Sequence, residues 1–103
     1  MVDFDISQFD STIHSPVRMA ILSILLSSLE ASFSYLKKAI GTTDGNLSTH
    51  LTRLEKSQLI TIKKSFSGRK PLTTCTITPQ GRKKFEQYIQ TIEKIIKLSR
   101  QRK

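Results

Sequence analysis

The spacing of apolar residues changes once along the chain, and this change limits what the chain can fold into. Leu47, Leu51 and Leu54 are separated by four and then three residues, which places them on one side of a helix. Soon afterwards Ile60 and Ile62 follow a spacing of two, which predicts a strand with one inward face. A helix is therefore followed directly by strands, so the sequence predicts a fold that combines both.

One helix-capping signal precedes this region and a second one follows it. Ser15 and Pro16 supply a helix N-cap and a proline at the first helical position, and Thr78 with Pro79 repeats the pattern. Helices are predicted from Pro16 to about residue 27 and from Pro79 to about residue 99. The first is the most apolar segment of the chain and is expected to lie at the centre of the core.

Two further helices are predicted between these signals. After the connection "EAS", one begins near Ser34 and ends at Gly41, which occupies the place of a C-terminal glycine. Thr43 or Asp44 can cap the next helix, which continues to about Lys56. A short helix, a tight turn and a second helix in this order predict a helix-turn-helix.

A β-hairpin with a basic tip is predicted after the third helix. Ile60, Ile62 and Phe66 share one face of its first strand, and "SGRKP" forms the turn. Thr73, Cys75 and Ile77 share one face of the returning strand. Three helices, a hairpin and a last helix predict a mainly α-helical α+β fold, namely a winged helix-turn-helix with a C-terminal dimerisation helix. The predicted organisation of this single domain is an N-terminal arm at 1–14, a core at 15–78 and the last helix with a basic tail at 79–103.

Charge is distributed unevenly along the 103 residues. The formal net charge is +9, yet residues 1–36 contain one base and four acids, whereas residues 37–103 contain 16 bases and four acids. Such asymmetry indicates a polyanionic partner for the second part, with nucleic acid favoured over an anionic membrane surface.

The side of the third helix opposite the leucines has the chemistry of a base-reading surface. A solvated helix face usually carries paired Glu and Lys, but this one carries small hydrogen-bonding side chains and a base. Asn can pair bidentately with adenine, Arg with guanine, and Thr contributes a hydroxyl and a methyl group. The predicted base-reading residues are Asn46, Thr49, Thr52 and Arg53.

Other polar residues are predicted to position the module on the phosphate backbone. Gly45 would let the start of the helix approach a phosphate closely. The predicted backbone contacts are Lys37, Lys38, Thr43, Gly45, Ser48, Lys56, Lys63 and Lys64. The predicted wing, which would reach a minor groove or the backbone, is Ser67, Gly68, Arg69 and Lys70.

Three stretches carry a resemblance to a known family. The segments "IHSPVRMAILSILL", "FSYLKKAIGTTDGNLSTHLTRLEKSQLI" and "KKSFSGRKPLTTCTITPQGRKKFEQYI" resemble the small winged-helix transcriptional regulators of prokaryotes, close to the MarR and ArsR types. The resemblance covers about residues 10–92 and implies a homodimeric regulator of double-stranded DNA. The chain departs from metal-sensing ArsR proteins because its second helix has no cysteine pair, and it has Gln58 where a glycine is usual.

Apolar residues at both ends are predicted to join two subunits. The last helix carries a broad apolar stripe, and the opening segment alternates apolar with polar residues. The predicted dimer interface is Phe4, Ile6, Phe9, Ile13, Phe85, Tyr88, Ile89, Ile92, Ile95 and Ile96.

Catalytic and metal chemistry find no support in the sequence. The single cysteine, Cys75, alternates inward in a strand and is interpreted as a core residue. His50 is interpreted as a packed histidine that donates to a backbone carbonyl, and His14 as a hydrogen bonder at the end of its segment. No enzyme activity, metal or cofactor is expected, and the location is expected to be cytoplasmic because the acidic start lacks a signal-peptide pattern.

The leading hypothesis is a sequence-specific, dimeric transcriptional regulator that acts as a repressor. The alternatives are a sequence-indifferent protein that coats DNA, and a winged-helix module that binds an acidic protein. The sequence is silent on the operator and on any small-molecule effector.

Overall fold

The computed structural model describes residues 10–101. Within this range the chain forms four helices and three strands, in the order α1 (Pro16–Ser28), β1 (Glu30–Ser32), α2 (Phe33–Ile40), α3 (Asp44–Lys56), β2 (Ile60–Ser67), β3 (Lys70–Ile77) and α4 (Pro79–Arg100). This arrangement confirms the predicted winged helix-turn-helix with its additional C-terminal helix.

Hydroxyl groups cap each helix at its N-terminus. Ser15 caps α1 and accepts from the backbone N–H of Arg18, and Thr78 caps α4 and accepts from that of Gly81. Ser32 caps α2, which begins at Phe33, one residue before the predicted start near Ser34, and Thr43 rather than Asp44 caps α3. These side chains satisfy backbone N–H groups that lack a partner in the first helical turn.

The sheet has a third strand, β1, where the sequence predicts only a connection between helices. The strand order is β1-β3-β2 with antiparallel pairs, and Ala31 of β1 lies opposite Cys75 of β3. The prediction of a two-stranded hairpin is therefore incomplete. β1 spans only three residues, and its pairing with β3 depends on a contact 44 positions away in the chain.

The core lies between α1, α3, the base of the sheet and the first half of α4. Its fully buried aliphatic side chains include Ile21, Leu22 and Leu25 of α1 and the predicted leucine face of α3. Ile13, Phe85 and Tyr88 are also buried, with exposed fractions of 0%, 3% and 1%. The prediction that these three contact a second subunit is therefore wrong, because they have almost no surface left outside their own protomer.

Tyr88 attaches α4 to the start of α1. Its hydroxyl lies 2.6 Å from Nδ1 of His14 and donates to Sδ of Met19 over 3.5 Å. Burial raises the pKa of the Tyr88 phenol, so the hydroxyl keeps its proton. His14 therefore takes part in a hydrogen bond at the end of its segment, as the sequence predicts.

The remaining predicted interface residues lie farther along α4. Ile89 and Ile92 are half-buried against the core, whereas Ile95 and Ile96 are 40% and 45% exposed. Phe4, Ile6 and Phe9 lie outside the described residues. Within residues 10–101, no helix combines the length and the apolarity needed to cross a lipid bilayer.

Candidate nucleic-acid interface

The turn between α2 and α3 fixes how α3 is presented. Gly41 ends α2 in the left-handed region at φ 75° and ψ 44°, where glycine is favoured because it has no Cβ. The Thr43 side chain then accepts from the backbone N–H of Asn46 over 3.2 Å. With Leu47, Leu51 and Leu54 buried, the opposite side of α3 faces outward.

The four predicted base-reading residues are all exposed on this outward side. Two of them are already engaged in local hydrogen bonds. Asn46 Nδ2 donates to Oγ1 of Thr42 over 2.6 Å, and the Thr49 hydroxyl donates to the Gly45 carbonyl over 2.9 Å. The Asn46 amide is thus held by Thr42, and the Thr49 hydroxyl, whose proton is engaged, can only accept a further hydrogen bond.

The outward side of α3 is continuous with a shallow surface depression. Base-reading and backbone candidates share its lining, so the structure brings the two predicted groups together. The residues that line it are Ser48, Thr49, Thr52, Arg53 and Lys56. A second groove runs between α3 and β2, where Thr52 and Glu55 face Ile62 and Lys64.

The wing is a hairpin whose tip is formed by Gly68 and Arg69. Ser67 pairs with Lys70, and Gly68 has a φ of 65° at the first position of the two-residue loop, a type II′ feature. Every residue from Phe66 to Leu72 is exposed. Lys63 and Lys64 are also exposed on β2, an edge strand of the sheet, where lysines protect a free strand edge from pairing.

Of the two lysines predicted on α2, one is engaged by a carboxylate. Lys37 Nζ lies 2.7 Å from Oδ1 of Asp44, which ties the end of α2 to the start of α3. Both side chains are largely exposed, so the pair adds little stability. Lys38 is exposed and has no such ion pair among the described residues. A phosphate at this turn would therefore compete with Asp44 for Lys37.

Arg18 is the feature that sequence reasoning missed. It is only 9% exposed, and its guanidinium donates to the carbonyls of Thr12 and Ser11 and to Nδ1 of His50 over 2.8 Å. The signal was present in the sequence, since Arg18 stands three, four and seven residues before Ile21, Leu22 and Leu25 and therefore shares their inward face.

The contact with Arg18 corrects the interpretation of His50. A guanidinium has only donors, so Nδ1 of His50 must accept, and the histidine does not donate to a backbone carbonyl from that nitrogen. Burial and the positive charges of Arg18 and Arg53 lower the pKa of His50. His50 is consequently neutral near pH 7, with its remaining proton on Nε2.

Cys75 lies in the core, as predicted. The residue is fully buried opposite Ala31 and Ile62, and burial together with Glu55 raises the pKa of its thiol to about 11. A protonated, inaccessible thiol is a poor nucleophile and a poor metal ligand. Among residues 10–101, no cluster of three or more His, Cys, Asp or Glu side chains is arranged to hold a metal ion.

These features define a winged-helix protein. It has an outward polar helix, a preceding helix joined to it by a tight turn, and a basic hairpin beside them. The profile of the winged helix DNA-binding domain family matches residues 17–96. The chain belongs to this family.

Similar proteins support the assignment. An uncharacterized protein of Methanocaldococcus jannaschii is 38% identical over 84 residues, which cover 82% of this chain and 91% of that protein. The structure of a transcriptional regulator homologue from Pyrococcus horikoshii OT3 superposes with a TM-score of 0.81 at 29% identity, covering 88% of this chain and 91% of the other. AbfR, solved bound to DNA, shares the fold with a TM-score of 0.71 at 16% identity, over 86% of this chain and 68% of that chain. The chain is therefore a winged-helix DNA-binding protein of the transcriptional-regulator type.

Proposed function

We propose that this protein is a sequence-specific regulator that reads double-stranded DNA with α3. The observation that carries the proposal is the exposed, hydrogen-bonding side of α3, which stands beside a basic wing. A helix of about 10–12 Å diameter fits a major groove of about 12 Å. The residues proposed to read bases are Asn46, Thr49, Thr52 and Arg53.

The phosphate contacts would surround this centre. Lys56 and Ser48 flank the base-reading residues on α3, and Lys38 stands on α2. Arg69 and Lys70 at the wing tip would reach the neighbouring minor groove, with Lys63 and Lys64 on the backbone. If about six phosphates are neutralised, the logarithm of affinity should fall with the logarithm of salt with a slope of roughly −5.

The protein is further proposed to act as a homodimer that represses transcription by occupying its operator. Two-fold symmetry would place two α3 helices in successive major grooves about 34 Å apart, or a multiple of that distance. A pseudo-palindromic operator would follow from this symmetry. The exposed Ile95 and Ile96 are the proposed contacts between subunits, with Ile89 and Ile92 beside them.

Selection of bound sequences from random duplexes at physiological salt tests the proposal. We expect a two-fold motif, with the recovered duplex bound at least ~10³-fold more tightly than random duplex. Recovery of random sequence with affinities within about tenfold of each other would instead favour a DNA-coating protein. Saturable binding to an acidic protein, with no affinity for duplex at low salt, would favour a protein-interaction module.

The variant R53A then tests the role of one side chain. If Arg53 pairs with guanine, its loss should weaken binding by about 1–3 kcal/mol and relax preference at one position of the motif. R100A is the matched control, because it removes the same charge from the exposed end of α4. An equal loss for all sequences in R53A, or the same loss in R100A, would contradict base reading by Arg53.

A further inference from the structure

Phe66 is an exposed aromatic residue on the wing. It is 72% exposed, more than any other large apolar side chain of residues 10–101. It stands six residues beyond the buried Ile60 on the same strand, which places it about 20 Å out from the base of the sheet. At this distance the core of the protomer cannot cover it.

The strand register shows which side of the wing carries Phe66. Side chains of directly opposed residues lie on the same face of an antiparallel pair. Phe66 pairs with Pro71, and alternation places both on the face that carries Lys64 and Ile62. That face is the one turned toward α3, since Ile62 and Lys64 line the groove between the wing and α3.

The surroundings of Phe66 favour a polyanion with apolar walls. Lys64 lies two residues before it, and Arg69 and Lys70 follow at the tip, all exposed. No acidic residue lies between Glu55 and Glu86 in the sequence. A minor groove matches this combination, because phosphates line its rims and deoxyribose rings form its walls.

We propose that Phe66 packs against deoxyribose rings in the wall of the minor groove next to the major groove read by α3. This inference rests on the proposed function. It adds one apolar contact to the ionic contacts proposed for the wing. This contact carries no base specificity of its own, but it requires a groove whose width fits the ring. Phe66 therefore contributes to affinity and to the recognition of groove shape.

Affinity and its salt dependence separate this contact from the ionic ones. F66A should weaken binding about tenfold at every salt concentration, since a lost apolar contact releases no counterions. R69A should instead reduce the magnitude of the salt slope by about 1 for each protomer bound. L72A is the matched control, because Leu72 pairs with Ser65 on the opposite face of the wing and should leave affinity within about twofold.

A tryptophan at position 66 reports the contact directly. The sequence contains no tryptophan, so F66W carries a single one. Its emission should shift to the blue when duplex is added and remain unchanged at increasing protein concentration without DNA. A shift that depends on protein concentration alone would place the side chain between two copies and overturn the inference.

The outcomes separate this inference from the proposed function. If the wild type binds duplex but F66A binds as tightly as L72A and the wild type, the inference fails and the proposed function stands. If the wild type binds no duplex at low salt, both fail. Thermal unfolding of F66A should stay close to that of the wild type, since Phe66 is 72% exposed.

Discussion

At the scale of single residues, the contact between Arg18 and His50 links α1 to α3. The guanidinium can only donate, so the hydrogen bond exists only while Nδ1 of His50 carries no proton. Arg18 and Arg53 both oppose a positive charge on the imidazole. The position of α3 is thereby tied to the neutral state of one histidine.

This contact predicts a pH dependence of stability. The pKa of His50 is lower in the folded protein than its ordinary value of about 6.5, so the unfolded chain binds more protons. The stabilisation is complete above about pH 6.5 and is lost as pH falls below it toward the folded pKa. Urea unfolding of the wild type and of H50N from about pH 5 to about pH 8 measures this dependence.

The variant H50N serves as the control because its amide oxygen can accept from Arg18 without titrating in this range. The stability of the wild type relative to H50N should decline on acidification. A difference that stays constant across the pH range would show that His50 does not carry the effect.

Residue identity explains why this contact escaped sequence reasoning. The spacing places Arg18 on the inward face of α1, but its residue type argues for solvent, since Arg is rarely buried unless it is paired. Its partners are backbone carbonyls that precede α1 and a histidine 32 positions away. The leucine face of α3 was predictable because its spacing alone defines it, whereas a buried cation depends on acceptors that only the fold brings together.

At the scale of elements, the start of α4 is held closely against the chain that follows α3. Thr78 donates its hydroxyl to the Gln58 carbonyl over 2.7 Å and its backbone N–H to the Leu59 carbonyl over 3.0 Å. A Cβ on Gly81 would lie 2.0 Å from the Leu59 carbonyl oxygen. Glycine is therefore needed here for the close approach of helix and backbone.

The variant G81A should consequently destabilise the protein. The added methyl group meets backbone that cannot rotate away, so α4 must shift, at an expected loss of about 2–3 kcal/mol. For a domain of this size the unfolding temperature should fall by roughly 10 °C or more. Thermal unfolding followed by circular dichroism measures the change.

The matched control is G45A in α3. A Cβ at this helical position would meet no described atom within 4 Å, so helix propensity should leave stability equal or raise it by up to about 1 kcal/mol. Because the free protein accommodates this methyl group, any loss of duplex affinity in G45A would report close approach of DNA to α3. Equal thermal effects of G81A and G45A would contradict the account of the junction.

Elements differed in how far the sequence predicted them. The predicted helix bounds agree with the observed ones within a residue or two. They do so because Ser15, Thr43 and Thr78 act as caps through local hydrogen bonds. β1 was missed because three residues carry too little periodicity and gain their structure from β3. For the candidate site, the leucine spacing was enough to predict which residues of α3 are exposed. The ion pair between Lys37 and Asp44 could not be predicted, because it depends on the geometry of the turn between α2 and α3.

At the scale of the whole molecule, the described chain is elongated. Its extents are 59 × 24 × 22 Å, with a radius of gyration of 15.7 Å, against about 13 Å for a compact domain of this length. The apolar stripe of α4 is buried at Phe85 and Tyr88 and becomes exposed at Ile95 and Ile96. The exposed part of the stripe is the surface that the proposed dimer would cover.

The proposed dimer predicts a mass of twice the 11.7 kDa chain in light scattering after gel filtration. The double variant I95E/I96E should shift the protein to monomer, because two carboxylates would have to be buried in the interface. Q87E/Q90E is the matched control, since both glutamines are exposed on the other side of α4 and the charge change is the same. A monomeric wild type, or dimers that persist in I95E/I96E, would contradict this arrangement.

The outward side of α3 and the wing together form the proposed DNA-binding surface. Titration of ¹⁵N-labelled protein with a duplex of about two helical turns, followed by amide chemical shifts, tests it most directly. The largest changes should fall on residues 42–56 and 63–71, while the exposed end of α4 beyond residue 93 should change little. Changes centred on α4, or no changes at low salt, would contradict it.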